Sequence, residues 1–195
     1  NGKSSSTITW GFLALHLERR LPHMLLDSLQ NNMLSLSGLA GLFARDQVLS
    51  LEGDFDRYFT LYCPKQYERD ALYVFTPDLM ALCIDEAAPF DVEIVDDWLF
   101  VYSPRAFRMD DPHLLSRIFR IIDLVGAKAL RQSRRYQDDR VDAPFPVNMV
   151  AQPGQRLRRR FPVALIVALA VVLAGPVLLG VIVFAVAAVS IATGG

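Results

Sequence analysis

The spacing of hydrophobic residues changes along the chain, and these changes mark out the predicted elements. Runs rich in β-branched, aromatic and leucine residues predict a long strand over Thr7 to Glu18 and a shorter one over His23 to Asp27. The charged and proline-containing stretch between them is expected to separate the two. Further strands are predicted at Gln47 to Glu52 and Tyr58 to Cys63.

A hairpin is predicted later in the chain. Asp91 to Val95 and Trp98 to Ser103 both have the composition of strands, and the pair Asp96 and Asp97 lies between them. Acidic residues tolerate the backbone angles of tight turns. We therefore expect the chain to reverse direction at the two aspartates.

Two helix starts have the same sequence signature, a capping residue followed by proline. Thr76 and Pro77 begin a short helix, whereas Asp111 and Pro112 begin a long one that is expected to reach about Arg135. Together the elements predict an α+β fold: a small, mostly antiparallel sheet with one capped short helix and one long helix.

The last part of the chain is apolar. Phe161 to Thr193 contains no charged side chain and is longer than the about 20 residues that a membrane-spanning helix needs. Gly175 and Pro176 lie near its middle, and proline interrupts helical hydrogen bonding. Either one kinked span or a re-entrant hairpin of two short limbs fits this run.

This pattern divides the chain into three predicted parts. Residues 1–136 are predicted to form the α+β domain, residues 137–160 a basic, proline-containing tether, and residues 161–193 the transmembrane segment. Because arginine clusters stay on the cytoplasmic side of spans, the domain is expected to be cytoplasmic. The predicted membrane-surface residues are Arg156, Arg158, Arg159 and Arg160.

Charge is unevenly distributed although the formal net charge is only -1. Acidic residues dominate from Asp46 to Asp111, and basic residues dominate from Pro112 to Arg160. This favours contact between the basic part and anionic lipid headgroups. With no aromatic platform evident from the sequence and no net positive charge, we expect no nucleic-acid partner.

Catalytic signatures are missing from the sequence. His16, His23 and His113 have no second ligand at metal-binding spacing, and the scattered glycines form no phosphate loop. Cys63 and Cys83 are expected to be buried thiols in a reducing compartment. We predict no catalytic residue and no cofactor.

One alternative chemistry depends on four aspartates. Asp54 and Asp56 flank a predicted strand end, and Asp96 and Asp97 occupy the predicted hairpin turn. If the two turns meet, their carboxylates have the oxygen ligands that a hard cation prefers. The ordinary role of aspartate in turns explains the same residues without a metal.

The block LEGDFDRYFTLYCPKQYERDALYVFTPDLMALCID, continued by FDVEIVDDWLFVYS, resembles an uncharacterised bacterial family of membrane-anchored proteins with a small cytoplasmic α+β domain. The pattern is F-x-L-Y, then a charged stretch, then Y-x-F-T-P-x-L-M, then a closing hairpin. The matching positions are Gly53, Phe59, Leu61, Tyr62, Phe75, Thr76, Pro77, Leu79 and Met80. The resemblance implies the fold and membrane association, but no established activity.

These observations favour a non-enzymatic, membrane-anchored domain that binds a partner protein, as an accessory subunit of a membrane complex. The alternative hypothesis is a metal-dependent enzyme that uses the four aspartates.

Overall fold

A single long strand organises the domain where the sequence predicts two. The computed structural model describes residues 9–32, 42–51, 53–144 and 147–160. In it, the first strand runs without a break through Arg19 and Arg20 to Ser28. Pro22 fits inside this strand because it lies at a register shift between Leu21 and Met24, where a missing N–H donor is tolerated.

The described residues form one four-stranded sheet in the order β2-β3-β1-β4, with every neighbouring pair antiparallel. Its strands are β1 (Gly11–Ser28), β2 (Val48–Leu49), β3 (Phe59–Tyr62) and β4 (Asp91–Ser103). The predicted α+β class with a small antiparallel sheet is confirmed.

The predicted hairpin over Asp91 to Ser103 is wrong, because this segment is one strand that pairs with β1 on both sides of Asp96 and Asp97. The two aspartates mark a bend instead of a chain reversal. Between the pairs His16–Trp98 and Leu21–Asp96, β1 advances by five residues while β4 advances by two. Asp96 also has a positive φ of 55°.

This bend brings the ends of β4 together. Residues nine positions apart in an extended strand are separated by about 30 Å. Nevertheless, the Tyr102 hydroxyl donates a hydrogen bond of 3.0 Å to Oε2 of Glu93. Phe90 and Phe107, just outside the two ends, have ring centroids 6.0 Å apart. The β1–β4 ribbon is therefore sharply folded over.

Six α-helices are present in the described residues: α1 (Leu29–Asn32), α2 (Glu68–Val74), α3 (Pro77–Leu82), α4 (Pro112–Arg120), α5 (Ala127–Arg134) and α6 (Gln152–Gln155). A π-helical stretch, Ile121–Gly126, joins α4 to α5 and makes one continuous helix of them. Another π-helical stretch, Cys83–Ala87, extends α3.

Both predicted helix starts are confirmed, but only one of them is capped as predicted. Oδ1 of Asp111 accepts hydrogen bonds from the backbone N–H groups of His113 (2.9 Å) and Leu114 (3.3 Å). The Thr76 side chain makes no capping bond, and its buried hydroxyl has no hydrogen-bond partner among the described residues.

The core lies between the sheet and the long helix. Leu17 and Leu21 of β1 are buried, as are Val125 and Ala129 of the helix that packs on them. A Cβ added at Gly126 would lie 2.6 Å from Cδ1 of Leu15. Helix and strand thus approach more closely at this point than a larger residue would permit.

The segment predicted as a tether packs on the domain as far as it is described. Asp138, Val150 and Leu157 are buried in it. Its end pairs with a segment that precedes β2: the Ala44 N–H donates to the Arg158 carbonyl at 3.0 Å, and the Arg160 N–H donates to the Leu42 carbonyl at 2.6 Å. Up to Arg160 the chain therefore lies along the domain instead of extending away from it.

No helix in the part of the chain that the structure describes is both long enough and apolar enough to cross a membrane. The predicted spanning run, Phe161 to Thr193, lies outside the described residues.

Candidate functional site

Aromatic side chains collect on the open face of the β1–β4 ribbon. Cross-strand register pairs Phe12 with Tyr102, Ala14 with Phe100 and His16 with Trp98. Because side chains alternate between the faces of a sheet, these residues share one face, and Leu13, Leu15, Leu99 and Val101 turn to the core. We call Phe12, His16, Trp98, Phe100 and Tyr102 the aromatic face.

Four rings of this face, those of His16, Trp98, Phe100 and Tyr102, form a continuous row. His16 meets Trp98 edge-on, with centroids 5.0 Å apart. Trp98 stacks on Phe100 at 6.3 Å, and Phe100 stacks on Tyr102 at 5.7 Å. Phe12 is nevertheless 63% exposed and Trp98 is 40% exposed. Phe100 and Tyr102 are half-buried. Clustered rings that remain partly exposed are typical of interaction surfaces.

Sequence reasoning missed this surface, although part of the signal was present. Trp98, Phe100 and Tyr102 occupy alternate positions, which places them on one face of any strand. In the predicted hairpin, the candidate site residues were Asp96 and Asp97. Adding Phe12 to the row requires the register of β1 against β4, which the sequence does not reveal.

The aromatic face borders an open sheet edge. β4 is the terminal strand of the sheet, and no backbone hydrogen bond joins its outer side to another segment within residues 9–32, 42–51, 53–144 and 147–160. Edge strands with unpaired N–H and C=O groups are ready templates for pairing with another chain.

A polar chain connects the aromatic face with the end of the described structure. Nδ1 of the buried His23 accepts a hydrogen bond from the Leu157 N–H at 3.0 Å, and its Nε2 lies 2.7 Å from Oε1 of Glu93. Because Nδ1 is an acceptor, the ring is neutral and its Nε2–H donates to Glu93. Burial and the Glu93 carboxylate raise the pKa of Tyr102, which keeps the hydroxyl protonated as the next donor.

The four predicted membrane-surface arginines divide into two pairs. Arg156 forms an ion pair of 2.8 Å with Asp96, and this contact raises the pKa of Arg156. Arg158 forms an ion pair with Asp46. Arg159 and Arg160 are exposed, and neither guanidinium has an ion-pair partner among the described residues.

The four candidate metal-binding aspartates do not meet. Asp54 and Asp56 lie between β2 and β3, whereas Asp96 and Asp97 lie in β4, on the other side of β1. Within the described residues, no three histidine, cysteine or acidic side chains form a group that could hold a metal ion.

Three of these aspartates also have structural partners. Asp56 accepts a hydrogen bond from the Leu51 N–H at 3.1 Å. Asp96 pairs with Arg156, as described above, and Asp97 lies 3.4 Å from Nε2 of His16. Asp54 precedes a short 3-10 turn, where it makes no side-chain capping bond.

A second polar region surrounds Arg140. Its guanidinium contacts Asp70 at 2.8 Å and Asp138 at 2.9 Å, and it lies 4.1 Å above the centre of the Tyr67 ring. An open cavity of about 580 Å³ adjoins this region, lined by Arg69, Tyr73 and Arg135 among others. Because Arg140 is held by two carboxylates, we assign it a structural role.

The two cysteines are buried and unpaired, as predicted. Burial raises the pKa of both thiols to about 12. Neither is a nucleophile at neutral pH, because the reactive form is the thiolate.

Comparisons with protein-family models, with curated proteins and with solved structures find no match. The functional assignment therefore rests on the surfaces described above.

Proposed function

We propose that the protein is a membrane-anchored cytoplasmic domain that binds a partner protein through its aromatic face, as an accessory subunit of a membrane complex. The observation that carries this proposal is the aromatic face, in which Phe12 and Trp98 remain 63% and 40% exposed while Leu99 and Val101 of the same sheet are buried. Aromatic residues are enriched at the centres of protein interfaces, where they bury large areas at low entropic cost.

The membrane part of the proposal is supported by the sequence that follows the domain. Phe161 to Thr193 has the length and composition of a spanning segment, and Arg159 and Arg160 precede it. Because a spanning segment would hold the domain at the membrane, we propose that the partner is itself a membrane-associated protein.

The experiment is purification of the full chain from its native host in mild detergent, with bound proteins quantified by mass spectrometry. The test variants are Phe12→Ser and Trp98→Ser. The matched control is Phe119→Ser, since Phe119 on α4 is 61% exposed, almost as much as Phe12, but lies outside the aromatic face. We expect one stoichiometric partner that both test variants reduce by about tenfold or more, the loss typical of an interface hot spot.

A partner retained equally by all three variants would place the interface elsewhere and overturn the role of the aromatic face. Recovery of the full chain alone, at native expression levels, would overturn the accessory-subunit proposal as a whole.

The metal-dependent enzyme remains the alternative hypothesis, but no observation in the described residues favours it. Metal analysis of the purified full chain, combined with melting in the presence of a chelator, tests it directly. A bound cation with a chelator-sensitive melting temperature would support the alternative.

A further inference from the structure

The outer edge of β4 has the geometry for pairing with an identical strand. We infer that the protein forms a dimer with a second copy of itself, in which residues 97–103 of the two β4 strands pair antiparallel about a two-fold axis at Phe100. The pairing joins the two four-stranded sheets into one.

The first support is that the outer edge of β4 lacks a paired strand within the described residues. β4 is terminal in the sheet, and its outer backbone makes no hydrogen bond to another segment of the described chain. Natural edge strands are usually protected by charged residues, proline or a bulge. Residues 98–103, which read WLFVYS, contain no charged residue and no proline, and the register shift of β4 lies before them, between Asp96 and Trp98. The bend at Asp96 limits the straight part of the edge to this half of β4.

The second support is the match of side chains about the axis. With Phe100 on the axis, it faces Phe100 of the second copy, and Trp98 faces Tyr102. Both pairs are aromatic, and cross-strand aromatic pairs stabilise antiparallel sheets. On the core side, Leu99 faces Val101, so the apolar layer also continues from one copy to the other.

The third support is charge. In this register Asp97 lies opposite Ser103 of the second copy, and Arg105 follows Ser103 by two residues. Arg105 is exposed and makes no ion pair within the described residues. At each end of the paired strands, Asp97 of one copy therefore lies near Arg105 of the other copy. The Asp97 residues of the two copies lie at opposite ends and do not repel each other.

This inference does not rest on the proposed function. Pairing uses the backbone edge of β4 and leaves the exposed rings of both copies side by side on one surface. The dimer can therefore be tested with the purified protein alone, and failure of the dimer and failure of the partner are separate results.

The experiment is disulfide crosslinking of the full chain in mild detergent under a gentle oxidant. Phe100→Cys places a thiol on the axis and is expected to crosslink by itself. Trp98→Cys alone and Tyr102→Cys alone are expected not to crosslink, whereas their mixture does. Phe119→Cys is the control for chance collisions, and the buried native cysteines give no background.

We expect Phe100→Cys to crosslink on the order of a thousandfold faster than Phe119→Cys, because paired thiols meet at millimolar effective concentration and free ones at the micromolar concentration of the sample. Equal rates for the two variants, or equal crosslinking of Trp98→Cys alone and of the mixture, would overturn the proposed register.

A second measurement needs no cysteine. Light scattering, corrected for bound detergent, is expected to give twice the chain mass for the wild type and a single chain mass for Phe100→Lys, with unchanged circular dichroism. The substitution Arg105→Asp should weaken the dimer, and adding Asp97→Arg should restore it. A monomeric wild type at micromolar concentration would overturn the inference.

Discussion

At the residue scale, Asp138 is a buried carboxylate that accepts several hydrogen bonds. It is 1% exposed and accepts hydrogen bonds from the Tyr67 hydroxyl (2.7 Å), the Ala151 N–H (2.9 Å) and the Arg140 guanidinium (2.9 Å). Asp138→Asn removes the charge and leaves Arg140 less well paired. We expect it to lower the free energy of unfolding by about 2 kcal/mol, measured by denaturant titration.

The same residue predicts a pH dependence. Burial alone would raise the pKa of Asp138, but the bonds from Ala151, Tyr67 and Arg140 outweigh it and lower that pKa. A lowered native pKa contributes stability above the unfolded value of about 3.9, and this contribution is lost as pH falls through the native pKa. As the pH falls below the unfolded pKa of about 3.9, the free energy of unfolding of the Asp138→Asn variant should therefore decrease less than that of the wild type.

Asp139 supplies the control, since it is the next residue, is exposed and makes no hydrogen bond within the described part of the chain. Asp139→Asn should behave as the wild type at every pH, and an equal effect of the two substitutions would contradict the assignment. Sequence reasoning could not choose between these neighbours. Which carboxylate is buried depends on Tyr67, more than seventy residues away.

At the element scale, the two helix starts allow a paired test of capping. Asp111→Ala removes both capping bonds of α4 and should lower the free energy of unfolding by about 1 kcal/mol. Thr76→Val keeps the shape of the side chain and removes a hydroxyl that makes no capping bond at α3, so it should cause no loss. Thermal or denaturant melting of the two variants measures both effects, and a loss for Thr76→Val as large as that for Asp111→Ala would contradict the structure.

The elements also show which patterns can be interpreted from sequence alone. β3 and both proline-marked helix starts were predicted because their signals are local. The continuous β1 and the unbroken β4 were not predicted, because the bend in each strand depends on its pairing with the other. In that pairing, extra residues of β1 lie opposite the short stretch Asp96 to Trp98. A two-aspartate sequence looks the same in a turn and in such a bend.

At the scale of the whole molecule, the uneven charge distribution has an internal explanation. Within the described residues, basic residues of the second half of the chain pair with acidic residues of the first half in six places: Arg120–Glu86, Lys128–Asp78, Arg134–Glu18, Arg140–Asp70, Arg156–Asp96 and Arg158–Asp46. The asymmetry seen in the sequence therefore serves to join the two halves. Arg159 and Arg160, next to the predicted span, form no ion pair within the part of the chain that the structure describes.

Under the proposed function, the run from Phe161 to Thr193 and these two arginines predict different strengths of membrane attachment. Two surface arginines contribute about 1 kcal/mol each near anionic lipid, whereas a spanning segment anchors almost irreversibly. The full chain should therefore stay in the membrane pellet through high salt and alkaline carbonate, and the Arg159→Ala, Arg160→Ala double variant should stay with it. By contrast, Leu169→Lys with Val181→Lys should release the chain, since each lysine costs about 2.5 to 3.5 kcal/mol within a span. Release of the wild type by salt alone would instead mean that the chain is held by charge, with no inserted segment.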